Sequence, residues 1–247
     1  MKLPVSLSVL VLAAACGGAG GDGGSAGARP AASGQPTAAH ADSPQAAPGL
    51  ADTRPVVLFL GNSLTAGLGV PEDSAFPALI QQKIDAARLG FRVVNAGVSG
   101  ATSADGLQQA DWLLRQPVSV LVLELGGNDA LRGLPVDAMR ANLKGIIEKF
   151  RARHPGLPIV LAGMEAPPNL GPAYTTAFRQ AFPDVAREEH TALIPSLLQD
   201  VGGIPRLNQA DHIHPTAEGH AIVARNVWRV LEPVLRKVKA ARGAAAA

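Results

Sequence analysis

The sequence predicts a three-layer α/β sandwich on a parallel sheet of about five strands. Three observations lead there. Short runs of branched apolar residues recur from Val56 onward. Segments with helical apolar spacing separate them. The longest run, Val118 to Leu125, is nearly all apolar, as a central strand covered on both faces must be. Strand and helix in alternation mean parallel βαβ units with right-handed crossovers, so the sandwich is of flavodoxin-like type.

Each segment has its reason. Residues 1–15 carry Lys2 and then an apolar stretch, Val5 to Ala15. That stretch is shorter than the roughly 20 residues a membrane-spanning helix needs. It ends in small residues before Cys16 and reads as a secretory signal peptide. Residues 16–53 are mostly Gly, Ala, Ser and Pro. Such a composition buries too little apolar surface to offset its ordering entropy, which predicts a disordered linker. The folded domain is expected over 54–238, with a disordered small-residue tail over 239–247. Within it, strands are predicted at Val56–Leu60, Arg92–Asn95, Val118–Leu125, Pro158–Ala162 and Thr191–Ile194. Helices are predicted at Ala75–Ala87 (Phe76, Leu79, Ile80 and Ile84 on one face), Ala104–Leu114, Val136–Phe150 (Met139, Leu143, Ile146, Ile147, Phe150), Pro172–Glu189 and Ala217–Leu235.

Composition removes several classes of function. The formal net charge is +2 and no run of five basic residues occurs. Aromatic residues make up 4% of the chain. Nothing here suggests a phosphate-tracking stripe, and the low aromatic content argues against a base-stacking surface, so no nucleic-acid partner is expected. Cys16 is the only cysteine, so there is no disulfide framework and no zinc-ligand cluster. Leu12-Ala13-Ala14-Ala15-Cys16-Gly17 resembles the lipobox of bacterial lipoproteins, with the leucine one place further back than usual. That resemblance implies an exported chain, lipidated at Cys16 and held to a membrane of the bacterial envelope by an N-terminal lipid anchor.

Three segments carry the chemistry. Gly61-Asn62-Ser63-Leu64-Thr65 follows the first strand, Gly126-Gly127-Asn128-Asp129 follows the third, and Asp211-His212-Ile213-His214-Pro215 precedes the last helix. All fall at one edge of the sheet, beyond the strands' carboxyl ends, where such folds bind ligands. Ser63 is the candidate nucleophile, although an N-cap serine would also suit that turn. His214 is the candidate base among six histidines, and Asp211, three residues earlier, can hold its imidazole. The backbone N–H groups of Ser63 and Gly97 and the side-chain amide of Asn128 are the candidate oxyanion donors. Asp129 is read as a brace for its loop. Glu124, a carboxylate in an apolar strand, needs a partner, with Arg132 and Arg92 both open, and is read as structural. No phosphate-binding loop follows the first strand, and nothing calls for a metal or an organic cofactor.

These segments resemble the SGNH (GDSL-type) hydrolases, and within them the bacterial arylesterase, acyl-CoA thioesterase and lysophospholipase group. Ser63, Gly97, Asn128, and Asp211 with His214 match the four family blocks in order. The resemblance implies a serine esterase or thioesterase acting on acyl or aryl esters through an acyl-enzyme. A lysophospholipase or carbohydrate O-deacetylase would use the same machinery, and a binding module with a dead site is the non-enzymatic alternative. The family usually has Asp where this chain has Asn62. Restoring that carboxylate is expected to be tolerated and to move the acid limb of the pH profile upward. The loop Met164–Gly171 is expected to form one wall of the acyl site.

Overall fold

The computed structural model describes residues 52–246, so the signal segment, Cys16, nearly all of the linker and Ala247 lie outside the described residues. Five strands form: β1 (Val56–Gly61), β2 (Arg92–Gly97), β3 (Val120–Glu124), β4 (Ile159–Ala162) and β5 (Ala192–Ile194). All pair in parallel, in the order β2-β1-β3-β4-β5. Every residue of β1 and of β3 is buried, as their unbroken apolar runs require.

The helices are α1 (Ser63–Ala66), α2 (Phe76–Ala86), α3 (Ser103–Leu113), α4 (Gly127–Leu131), α5 (Val136–Arg153), α6 (Pro172–Glu188) and α7 (Ala217–Ala246). On one side of the sheet α2 packs with α7; α3, α5 and α6 pack in sequence as a second group. The apolar stripe on α5 is the buried one: Met139, Leu143, Ile146, Ile147 and Phe150 are at most 1% exposed. Two short helices, α1 and α4, go beyond the sequence pattern, because four- and five-residue helices show no apolar period. α7 continues to Ala246 through the segment expected to be a disordered tail. Alanine is the best helix former, and a run of it prolongs a helix already anchored by Val227, Leu231 and Leu235. No helix among the described residues is long and apolar enough to cross a membrane.

Register brings the chemistry together. Gly61 at the end of β1 is level with Gly97 of β2 on one side and Glu124 of β3 on the other. The chain leaves β1 toward β2 and later returns to its other side as β3. The topological switch point therefore lies between β1 and β3, where a crevice opens. Ser63 follows one of these strands and Asn128 the other.

Candidate active site

The turn that carries Ser63 starts where β1 runs out. Gly61 has ordinary backbone geometry and is needed for space: a Cβ there would collide with Thr65 Oγ1 and lie 2.6 Å from Glu124 Oε2. Close packing, not a special turn conformation, is what calls for glycine here. Asn62 caps α1, its Oδ1 accepting from the Leu64 N–H at 2.8 Å. Ser63 is therefore the first helical residue rather than the cap, and its hydroxyl is not needed to close the turn. Ser63 Oγ lies 2.8 Å from His214 Nε2. Ser63 is 7% exposed, so this candidate nucleophile sits just beneath the surface.

His214 is held from behind. Its Nδ1 lies 2.6 Å from Asp211 Oδ2, and Asp211 Oδ1 accepts from the backbone N–H groups of Ile213 and His214 at 2.9 and 3.0 Å. His212, between them, has φ +60°, a left-handed conformation that lets the carboxylate fold back on its own loop. The His214 ring bond first, then the two backbone N–H groups, hold the Asp211 carboxyl down to about 2. An ionised carboxylate can only accept, so Nδ1 carries the proton and Nε2 is free to accept from Ser63. The Asp211 side chain is 44% exposed, against 14% for His214. Its charge is water-screened, and its main service is to fix the tautomer and ring plane.

Gln209, which no sequence motif marks, ties this loop to the nucleophile side. Its Nε2 donates to Leu68 O at 2.7 Å and to Pro215 O at 3.0 Å. Only the folded register puts Leu68 beside residue 209, so no local pattern could single it out.

The candidate oxyanion donors divide. The Ser63 N–H has no acceptor among the described residues, whereas its neighbours are engaged: Asn62 N–H with Glu124 and Leu64 N–H with Asn62. Asn128 donates one amide hydrogen to Ala101 O at 2.9 Å and keeps the second. Gly97 corrects the expectation. Its N–H is committed to Asn95 Oδ1 at 2.9 Å, and Asn95 Nδ2 in turn holds Thr65 O, also at 2.9 Å. A Cβ at Gly97 would drive into the Ala66 N–H and lie 2.8 Å from the Thr65 carbonyl carbon, so this glycine lets β2 approach α1. Three residues on, Gly100 has φ +82° and an N–H without an acceptor among the described residues. Asp129 braces its loop as expected, accepting from the Ser103 N–H at 2.8 Å and the Ser103 hydroxyl at 2.5 Å.

A cavity of about 660 Å³ opens beside Leu64 and Asp211, lined also by Leu131, Met164, Pro167 and Ile213 among others. Met164 to Pro168 form one wall of it, on the loop that the sequence points to. Its volume suits a small organic ligand.

Glu124 pairs with neither candidate arginine. Oε1 accepts from Asn62 Nδ2 at 2.7 Å, while Oε2 accepts from the Asn62 N–H at 3.0 Å and the Thr65 hydroxyl at 2.7 Å. Arg132 instead holds Gly100 O at 2.9 Å. An Asp at position 62 would face this carboxylate, and the two would share one proton. The upward shift of the acid limb expected for Asn62→Asp is thereby reduced, since little negative charge is added near His214.

Burial pushes the Glu124 carboxyl up to about 7, against the opposing pull of the Thr65 and Asn62 donors. His220 goes the other way. It is buried on α7, stacks on Phe76 with centroids 6.1 Å apart, and accepts the Phe76 N–H on Nδ1 at 3.2 Å. Burial first, then the His214 charge, lowers it to about 4. The two linkages oppose each other. Between about 4.5 and 7 the folded state holds a proton on Glu124 that the unfolded chain has released, so stability falls as pH rises. Between about 6.5 and 4 the unfolded chain gains a proton on His220 that the fold refuses, so stability falls as pH drops. Relative to wild type, as pH rises from 4.5 to 6.5, His220→Asn is expected to lose stability and Glu124→Gln to gain it, each by ~1 kcal/mol per pH unit. Denaturant midpoints at three pH values in that window check this. Curves parallel to wild type would show that neither group titrates in this window.

A family model described as the GDSL-like lipase/acylhydrolase family matches residues 59–222. Esterase TesA of Pseudomonas aeruginosa is 40% identical over 180 residues, covering 72% of this chain and 89% of that protein. Thioesterase 1/protease 1/lysophospholipase L1 of Escherichia coli is 35% identical over 181 residues, covering 72% of this chain and 84% of that protein. The crystal structure of TesA superposes with a TM-score of 0.69, at 40% identity, over 72% of this chain and 98% of that one.

Proposed function

Because the chain belongs to the GDSL-like lipase/acylhydrolase family, and is thereby an ester hydrolase, we propose that it cleaves acyl esters and thioesters through an acyl-enzyme on Ser63. The observation that carries this reading is the continuous chain from Ser63 Oγ to His214 Nε2 at 2.8 Å and from His214 Nδ1 to Asp211 Oδ2 at 2.6 Å. Ser63 Oγ attacks the acyl carbon while His214 Nε2 takes the hydroxyl proton. The tetrahedral oxyanion is met by the Ser63 N–H, the second amide hydrogen of Asn128 and, in place of Gly97, the N–H of Gly100. His214 then gives its proton to the departing alcohol or thiol, leaving an ester on Ser63. Water attacks the acyl carbon as His214 takes its proton, and when the Ser63–acyl bond breaks to release the acid, His214 returns that proton to Ser63 Oγ.

The apolar wall of the cavity favours an acyl chain over a polar substituent, and the E. coli relative's name includes both thioesterase and lysophospholipase. Turnover of p-nitrophenyl esters of increasing chain length, with palmitoyl-CoA and a lysophospholipid alongside, tests the reading. Hydrolysis of none of these would overturn it. Lipid attachment at Cys16 rests on the sequence alone; membrane fractionation with mass spectrometry of the N-terminus decides it.

A further inference from the structure

Glu124 does more than fill a strand. It is fully buried, at 0% exposure, and no ion pair among the described residues reaches it. All its hydrogen bonds to side chains and to the Asn62 N–H come from the two residues that bracket Ser63: Asn62 immediately before and Thr65 two places after. The absent Cβ at Gly61 makes the seat in which this carboxylate meets Thr65. We propose that Glu124 is the positioning residue of the nucleophile: from the adjacent strand β3, its carboxylate holds the Asn62–Thr65 turn so that Ser63 presents its hydroxyl to His214 and its N–H to the substrate oxygen. This rests on the reading of Ser63 as the nucleophile.

The hydrogen-bond directions carry the argument. Asn62 Nδ2 donates to Glu124 Oε1, which fixes which way the Asn62 amide faces. Its Oδ1 is thereby turned to accept the Leu64 N–H at 2.8 Å. Glu124 Oε2 takes the Asn62 N–H. The N–H before Ser63 and the N–H after it are both consumed, and the N–H of Ser63 is the one left for an oxyanion. In this chain the partner at position 62 is an amide, where the family usually has a carboxylate. The pair is one pure acceptor and one amide, fully matched without any shared proton once Glu124 is ionised.

That matching predicts a reciprocal exchange. In Glu124→Gln the single amide oxygen cannot serve both Asn62 Nδ2 and the Asn62 N–H, so the turn loosens. In Asn62→Asp alone, two carboxyl groups meet where a 2.7 Å donor–acceptor contact stood, and the proton they share keeps the contact and the turn, so this variant is tolerated. In the double variant Asn62→Asp/Glu124→Gln the roles swap. The amide nitrogen introduced at position 124 donates to the new carboxylate at position 62, whose other oxygen keeps the Leu64 N–H. The amide oxygen introduced at position 124 keeps the backbone N–H of residue 62 and the Thr65 hydroxyl. All four bonds are recovered with the same total charge.

The experiment is steady-state hydrolysis of a p-nitrophenyl ester by wild type, Ser63→Ala, the two single variants and the exchange variant, with melting temperatures of each. It is run well above pH 7, where the wild-type Glu124 carboxyl is ionised. Glu124→Gln is expected to lower kcat by about 10²-fold, with KM within about threefold, because misplacing the attacking group acts on the transition state. The exchange variant is expected to regain kcat to within about fivefold of wild type. If Glu124→Gln fails to fold, the exchange variant still decides, since it recovers the four bonds of the wild-type turn. Wild-type kcat in folded Glu124→Gln overturns the proposal. So does an exchange variant that melts like wild type but turns over no faster than Glu124→Gln. Turnover surviving in Ser63→Ala would instead remove the nucleophile reading on which the proposal stands, so the two failures are told apart.

Discussion

Ser63→Ala is expected to lower kcat on a p-nitrophenyl ester by about 10⁴- to 10⁶-fold, the range over which triad members act as a unit. Its fold should survive. Asn62, not Ser63, supplies the cap of α1, and the Ser63 N–H keeps its place whatever the side chain. What is lost is the 2.8 Å, part-buried bond to His214, worth about 1 kcal/mol to stability. Removing the hydroxyl leaves no atom to form the acyl bond, and His214 Nε2, 2.8 Å behind it, can at best activate a water. Residual turnover should then run without an acyl-enzyme: the rapid first release of p-nitrophenol, one equivalent per enzyme, should vanish. The check is pre-steady-state absorbance beside a thermal melt of both proteins. A burst that persists in Ser63→Ala would place the acyl group elsewhere.

The elements legible from sequence are those whose burial is periodic or continuous. β1 and β3 follow from unbroken apolar runs, and α5 from its buried stripe, because burial there selects side chains residue by residue. α1 and α4 escape because a helix of one turn is fixed by what it abuts, not by its own composition. The same division runs through the site. Ser63, Asn128, Asp211 and His214 announce themselves by residue type and by their place after strands or before a helix. Gly97 does not fit the donor part expected of it, because a glycine that donates to a ligand and a glycine that makes room for a neighbouring backbone look alike in sequence. The collision at Ala66 and the bond to Asn95 separate them only in three dimensions. Glu124 is visible as a carboxylate in an apolar strand. Its partners are not, since the strand register that sets it level with Gly61 is a long-range fact, and the arginines that a sequence offers as natural partners are mistaken candidates.

Asn128→Ala is expected to lower kcat by about 10²- to 10³-fold while KM stays within a few-fold, the pattern of a donor that acts on the developing oxyanion. Two hydrogens leave with the amide, and they do different work. One holds Ala101 O at 2.9 Å and keeps the loop after β2 against α4. The other has no acceptor among the described residues and is the one available to substrate. Loss of the first would loosen the loop that carries Gly100, and so weaken a neighbouring donor as well. Asn128→Asp separates the contributions from simple shape. It keeps the volume but offers only acceptors, to the Ala101 carbonyl and to the oxyanion alike, and should be at least as slow as the alanine variant at neutral pH. Asp129 continues to brace the helix through Ser103, so neither substitution should unseat α4. Steady-state kinetics of both variants on one ester, with melting temperatures, make the test. A rise confined to KM, with kcat preserved, would show that Asn128 binds the ground-state ester and leaves the oxyanion to the backbone donors.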